Sequence, residues 1–213
     1  MLTIYGSDLS GPANKVRFVA NYLGLKYEYK KLNLGAGDHK KPEILKLNPV
    51  GKVPFIDDDG FVLAESGAII KYLADKAGSA IYPKGLKERA LADQEIDFIT
   101  LHVNAALQKI VYNRVFAPMR KIPVDQNSLD EGVSFLARFL PIVEATLSKT
   151  PFLVGNTITL ADFTLLSGLD PAEVSGVDLS AYPKIRAWRE KLRKEDFYAR
   201  CHKEYGESLK QIA

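Results

Sequence analysis

Two short steps in this chain, Val53-Pro54 and Glu65-Ser66, carry residue types that together suit a small peptide ligand. An X-Pro bond needs only about 0.5–1 kcal/mol to become cis, so Val53-Pro54 can hold an inverted peptide where the chain enters a strand. The N–H and C=O of Val53 would then face outward unpaired, and a peptide could join them as an added strand. Glu65 and Ser66 open a helical pattern. There a hydroxyl and free N–H groups can hold a carboxylate, while Glu65 accepts bonds from an ammonium. The ligand this implies has an α-amino acid head joined to a peptide backbone.

The elements needed to position these residues are legible around them. Leu2 to Tyr5 reads as a strand, followed by a Ser/Gly/Pro loop and by Val16, Val19, Ala20 and Leu23 at helical spacing up to Gly24. Tyr27, Tyr29 and Leu32 suggest a second strand, and after the Gly-rich, basic stretch 35–41 comes a short helix ending near Leu47. Phe55-Ile56 and Phe61-Val62-Leu63 flank Asp57-Asp58-Asp59-Gly60, whose Asp-Gly step is a strong hairpin signal. Ile69, Ile70, Leu73, Ala74 and Ala77 then make a helix. The order β-α-β-α-β-β-α over residues 1–77 is an α/β module, and residues 78–85, with Pro83, read as a linker. From 86 to 213 the pattern is helical throughout. Leu91, Phe98, Ile99 and Val103 form one apolar stripe, and Val133, Leu136, Leu140, Val143 and Leu147 form another, both expected to face a core. Thr159 and Asp162 have the spacing of a capping box, with Ile158 and Phe163 as its hydrophobic staple.

Pro-bounded strands and Glu-Ser helix starts are each common alone. In this order and spacing they closely resemble the glutathione transferase family, and the resemblance covers essentially the whole chain. It implies a thioredoxin-like N-terminal domain, an all-helical C-terminal domain, and glutathione as co-substrate held through the Val53-Pro54 and Glu65-Ser66 elements. It also assigns the Thr159–Asp162 box a folding role, which keeps Asp162 out of the active site. The chain departs from the pattern after Glu65-Ser66, where many relatives have Arg and this one has Gly67.

Such an enzyme must make a thiolate, because the thiol itself is a poor nucleophile. With a pKa near 8.5 only about 3% of a thiol is ionised at pH 7, and lowering it to roughly 6.5 costs about 2.7 kcal/mol. A helix N-terminus and one donated hydroxyl hydrogen bond are together sufficient. Aligned with the serine-type subclasses (theta, delta and phi), Ser10 falls on the thiolate-stabilising serine, just before Pro12. Ser7 shares the loop and remains the alternative. The tyrosine of other subclasses would fall at Gly6, while Tyr5 is expected to pack on the opposite face. His39 and Lys40 resemble the basic segment of phi relatives that holds the glycyl carboxylate, and Lys52 would join them, whereas Lys41 reads as an ordinary surface lysine. The electrophile pocket would lie between the Ser10 loop and the first long helix of the second domain, with Leu9, Asn104, Gln108, Val111, Tyr112 and Val115 as walls.

Composition narrows the alternatives. The 29 basic and 26 acidic residues give a net charge of +3 without a dense basic stripe, which speaks against a nucleic-acid partner. A single cysteine, Cys201, excludes an internal disulfide and a Cys-based redox centre in the Ser10 loop, and fits a reducing compartment such as the cytoplasm. No apolar run reaches the roughly 18 residues of a membrane span, and the start of the chain does not resemble a targeting leader. His102 and His202 stand alone, so no metal is implied. The expected reaction is attack of glutathione thiolate on a small apolar electrophile by conjugation, peroxide reduction or dehalogenation. A non-catalytic binding protein of the same fold and a glutathione-dependent isomerase are the rival readings. A homodimer is expected from the resemblance, although the phenylalanine that locks some subclasses falls at Val50.

Overall fold

A computed structural model describes residues 1–202 and 204–210, so the expected limit of the second domain at 213 lies outside the described residues. Strands β1 (Leu2–Gly6), β2 (Tyr27–Lys31), β3 (Phe55–Asp58) and β4 (Phe61–Ala64) form one sheet in the order β2-β1-β3-β4. β1 pairs parallel with β2, with Gly6 opposite Lys31, and antiparallel with β3, with Tyr5 opposite Phe55. β3 pairs antiparallel with β4, so Phe55 lies opposite Ala64. The Asp-Gly step makes the expected tight turn, with positive φ at Asp59 (53°) and Gly60 (90°). Tyr5 stacks on Phe55 with ring centroids 4.3 Å apart, the packing role expected of it.

Helix α1 (Gly11–Tyr22) crosses the sheet and buries residues 13–21. It is followed by a short 3₁₀ turn (Asp38–Lys40), α2 (Pro42–Leu47) and α3 (Ser66–Lys76). The helical half begins with α4 (Leu86–Phe98). It runs on through a π-helical stretch (Ile99–Asn104), α5 (Ala105–Val111), a second π-helical stretch (Tyr112–Phe116) and α6 (Ala117–Met119). Then come α7 (Gln126–Leu147), α8 (Leu160–Leu169), α9 (Pro183–Arg193), α10 (Asp196–Ala199) and α11 (Tyr205–Lys210).

The two halves share a core built where α1 packs on α8. That approach is close enough to need glycine: a Cβ on Gly11 would stand 2.9 Å from the Ser167 carbonyl oxygen. α8 is buried on nearly all sides and starts at the capping box. The Asp162 carboxylate accepts from the Thr159 N–H (2.8 Å) and hydroxyl (3.1 Å), the Leu153 N–H (3.1 Å) and the Trp188 indole (3.1 Å). Burial pushes this carboxyl up to about 6 against the pull of those donors.

One expected core face is corrected. On α4 and the turns after it the inward residues are Ala92, Ile96, Ile99 and Val103, while Leu91 is 53% exposed, and on α7 Val133 is also exposed. Leu91 lies about a third of a turn from that face, whereas Phe98 is half-buried and packs against the core from its edge.

Candidate active site

The strand directions bring the expected site residues to one end of the sheet. β1 and β2 finish there, β3 starts there and β4 finishes there, so the loop 7–10, Val53-Pro54 and Glu65-Ser66 all emerge at the same edge.

Ser10 is the N-cap of α1 (φ −94°, ψ 105°), and its Oγ accepts from the Ala13 N–H at 3.3 Å. The hydroxyl hydrogen stays free to donate outward, beside the positive end of the helix. Ser7 is only 4% exposed, and its carbonyl accepts from the Ser10 N–H at 2.9 Å. The rest of the loop is held as completely. Asp8 C=O accepts from Asn14 Nδ2 (2.9 Å), Leu9 C=O from the Tyr205 hydroxyl (2.7 Å) and Ser10 C=O from the Asn14 N–H (2.9 Å). Burial alone would raise the Asp8 carboxyl, but Lys31 (2.7 Å) and Arg17 (2.9 Å) hold it below the usual carboxylate range. Arg17 in turn lies over the Tyr29 ring, 4.2 Å from its centroid.

The Val53-Pro54 bond is cis, and among the described residues neither the N–H nor the C=O of Val53 makes a hydrogen bond. Asn48 fixes the approach by donating from Nδ2 to the Lys52 carbonyl at 2.8 Å. Glu65 caps α3 with φ 67°, a left-handed conformation uncommon outside glycine, and its exposed side chain leaves the first N–H groups of the helix open. Lys40 and Lys52 are exposed, and His39 is half-buried with its Nδ1 unpartnered among the described residues. Lys41 is paired with Asp38 at 2.7 Å.

Of the residues expected to wall the electrophile pocket, Leu9, Gln108 and Tyr112 keep exposed surface, while Val111 and Val115 are buried. Asn104 donates to the Thr164 carbonyl at 3.1 Å and so braces α8. A cavity of about 790 Å³ lies elsewhere, between the stretch 78–84, α4 and the loop 149–159. Cys201 sits behind α1, where burial pushes its thiol up to about 12, well outside nucleophilic range at neutral pH.

Lys15, Asn14 and Tyr205 escaped the reading of the sequence as site residues. For Lys15 a signal was present, because it stands one turn before Val19 on the buried stripe of α1, where a lysine is out of place.

Two family models match the chain: "Glutathione S-transferase, N-terminal domain" over residues 4–81 and "Glutathione S-transferase, C-terminal domain" over 98–196. A probable glutathione S-transferase GSTF2 from Oryza sativa subsp. japonica is 33% identical over 192 residues, 88% of this chain and 89% of that protein. The chain belongs to the glutathione S-transferase family.

Glutathione transferase F7 from Populus trichocarpa superposes with a TM-score of 0.88 at 29% identity, covering 98% of this chain and 99% of that one. Glutathione S-transferase I from maize, solved in complex with an atrazine glutathione conjugate, gives 0.87 at 29% identity over 100% and 99%. The thioredoxin-like and all-helical halves are those of the family, and glutathione is the co-substrate of this transferase. Among the described residues no helix is long and apolar enough to cross a membrane, and no group of three or more His, Cys, Asp and Glu side chains is placed to hold a metal.

Proposed function

We propose that Ser10 donates its hydroxyl hydrogen to the glutathione thiolate and that the activated sulfur attacks small apolar electrophiles. The observation that carries this reading is the arrival at one sheet edge of a helix-capping serine with a free proton, an unpaired Val53 backbone and the Glu65-Ser66 helix start. The cysteinyl backbone would pair with Val53 beside Pro54, the glutamyl head with Glu65 and Ser66, and the glycyl carboxylate with His39, Lys40 and Lys52. Leu9, Gln108 and Tyr112 would face the electrophile, with Asn104, Val111 and Val115 shaping the wall from behind. Conjugation is the favoured outcome, in keeping with the conjugate held by the maize relative.

The experiment is a pH titration of thiolate absorbance for glutathione bound to the protein, beside free glutathione. A midpoint one to two pH units below the free value is expected. Saturable binding with an unshifted midpoint would leave only a binding protein.

We further infer a homodimer in the cytoplasm. Support comes from apolar residues turned outward in the helical half, Leu91 on α4, the 67% exposed Leu101 on the π-helical stretch after it and Ile142 on α7, together with Val50, 60% exposed on the N-terminal half. Sedimentation equilibrium tests it: a concentration-independent monomer mass would remove the dimer.

A further inference from the structure

Four polar side chains lie in the buried run of α1: Asn14, Lys15, Arg17 and Asn21. Asn14 holds the Asp8 carbonyl, Arg17 pairs with Asp8 and the Cys201 carbonyl, and Asn21 donates to the Phe197 carbonyl. Lys15 is different. Only 4% exposed, it has neither a hydrogen bond nor an ion pair among the described residues. An ammonium largely withdrawn from water without a partner is costly, and its survival at this position calls for an anion that meets it.

The charges that act on it identify that partner. α1 packs against α3, and the groups felt by Lys15 are Glu65, at the cap of α3, and Lys71, on its second turn. Lys71 is already engaged with Asp93 at 2.7 Å, which leaves Lys15 as the cation without a carboxylate. Burial pulls its ammonium down to about 8 while Glu65 draws it back up, so it remains mostly protonated at neutral pH. Glu65, the charge that acts on Lys15, caps α3, whose first N–H groups carry no side-chain cap and whose first residue is Ser66. Positive and negative groups side by side are the complement of a zwitterionic amino-acid head.

We propose that Lys15 binds the α-carboxylate of the γ-glutamyl residue of glutathione, together with the N-terminus of α3, while Glu65 takes the adjoining ammonium. This rests on the reading of the site given under Proposed function. Gly67 offers α3 no side-chain cation of its own, and a Cβ there would meet nothing within 4 Å, so the charge can be transplanted.

The test is calorimetric titration with glutathione and with 4-aminobutanoyl-Cys-Gly, which lacks only that carboxylate. The unmodified protein is expected to bind the truncated peptide about tenfold or more weakly, the worth of a charged hydrogen bond. In Lys15→Met this preference shrinks at least about threefold, leaving the share supplied by the N-terminus of α3, and Gly67→Arg added to that variant restores it. A Lys15→Met protein that keeps the full preference, or loses affinity equally for both peptides, overturns the assignment. NMR of the Lys15 ε-carbon in the unmodified protein serves if the variant does not fold. Its titration midpoint should rise with glutathione and stay put with the truncated peptide, and equal responses would count against the proposal. A wild-type protein that binds neither peptide removes the glutathione site itself, and this assignment with it.

Discussion

At the thiol and glutamyl end of the site, residues 13–21 of α1 are buried and every carbonyl from Ser7 to Ser10 has a donor. At the glycyl end, the stretch from Gly35 to Lys41 lies on the surface, braced mainly by Asp38, which accepts from the Asn33 N–H at 2.8 Å and pairs with Lys41. The contrast follows the chemistry. Moving a thiol pKa requires a donor whose position is fixed before the ligand arrives, since electrostatic stabilisation is largest when no reorganisation is needed. Holding a carboxylate tail on a flexible peptide needs only positive charge nearby, and exposed lysines supply that without burial.

The sharpest way to break this contrast is Ser10→Ala. Turnover should fall by about 10²–10³-fold, as when one fixed donor to a developing anion is removed, while glutathione affinity stays nearly constant. The bound thiol should titrate close to its free value. Loss of the cap costs about 1 kcal/mol, too little to unfold the protein. If the thiol midpoint stays low in Ser10→Ala, the donor is Ser7 or the backbone.

Lys15→Met separates stability from binding. The fall of the ammonium from 10.5 to about 8 corresponds to roughly 3 kcal/mol of unfavourable burial at neutral pH. The folded state binds this proton more weakly than the unfolded chain, so the resulting destabilisation is full below about 8 and fades as pH rises toward 10.5. The variant is therefore expected to be more stable by about 2–3 kcal/mol at pH 7, with the advantage shrinking across that window in urea unfolding. A variant less stable than the parent at pH 7 would show that Lys15 has a structural partner.

The two ends were also unequally legible in the sequence. The Val53-Pro54 and Glu65-Ser66 steps, the Asp59-Gly60 turn and the Thr159–Asp162 box are local devices, in which residues close in the chain dictate backbone shape, and each appears where the spacing put it. Lys15 and Tyr205 act through partners that only tertiary packing supplies: α3 for one, a loop at the other end of the chain for the other. Leu91 misled for a related reason. An apolar stripe shows that a face avoids water, and a core and a subunit contact satisfy that equally.

Tyr205→Phe measures how much the long-range brace contributes. The Leu9 carbonyl would lose its only donor among the described residues, at a cost of about 1 kcal/mol, and the loop carrying Ser10 would loosen. Turnover should drop about tenfold or less with KM unchanged, because a misplaced donor weakens thiolate stabilisation and leaves the tripeptide contacts intact.

The smallest effects belong to the exposed end. Lys40→Ala and Lys52→Ala should each raise the glutathione KM about two- to fivefold at low salt, and His39→Ala by a similar factor. Thiol ionisation should be untouched. For the lysines the loss should shrink as ionic strength reaches a few hundred millimolar, since dissolved salt screens exposed charges over a length of about 10 Å at 0.1 M that shortens as salt is added. Lys41→Ala should do nothing measurable, because its ammonium is spent on Asp38. Should one of these lysines instead change turnover and not KM, the glycyl end would share in activating the sulfur, and the division between a fixed chemical end and an adaptable binding end would fail.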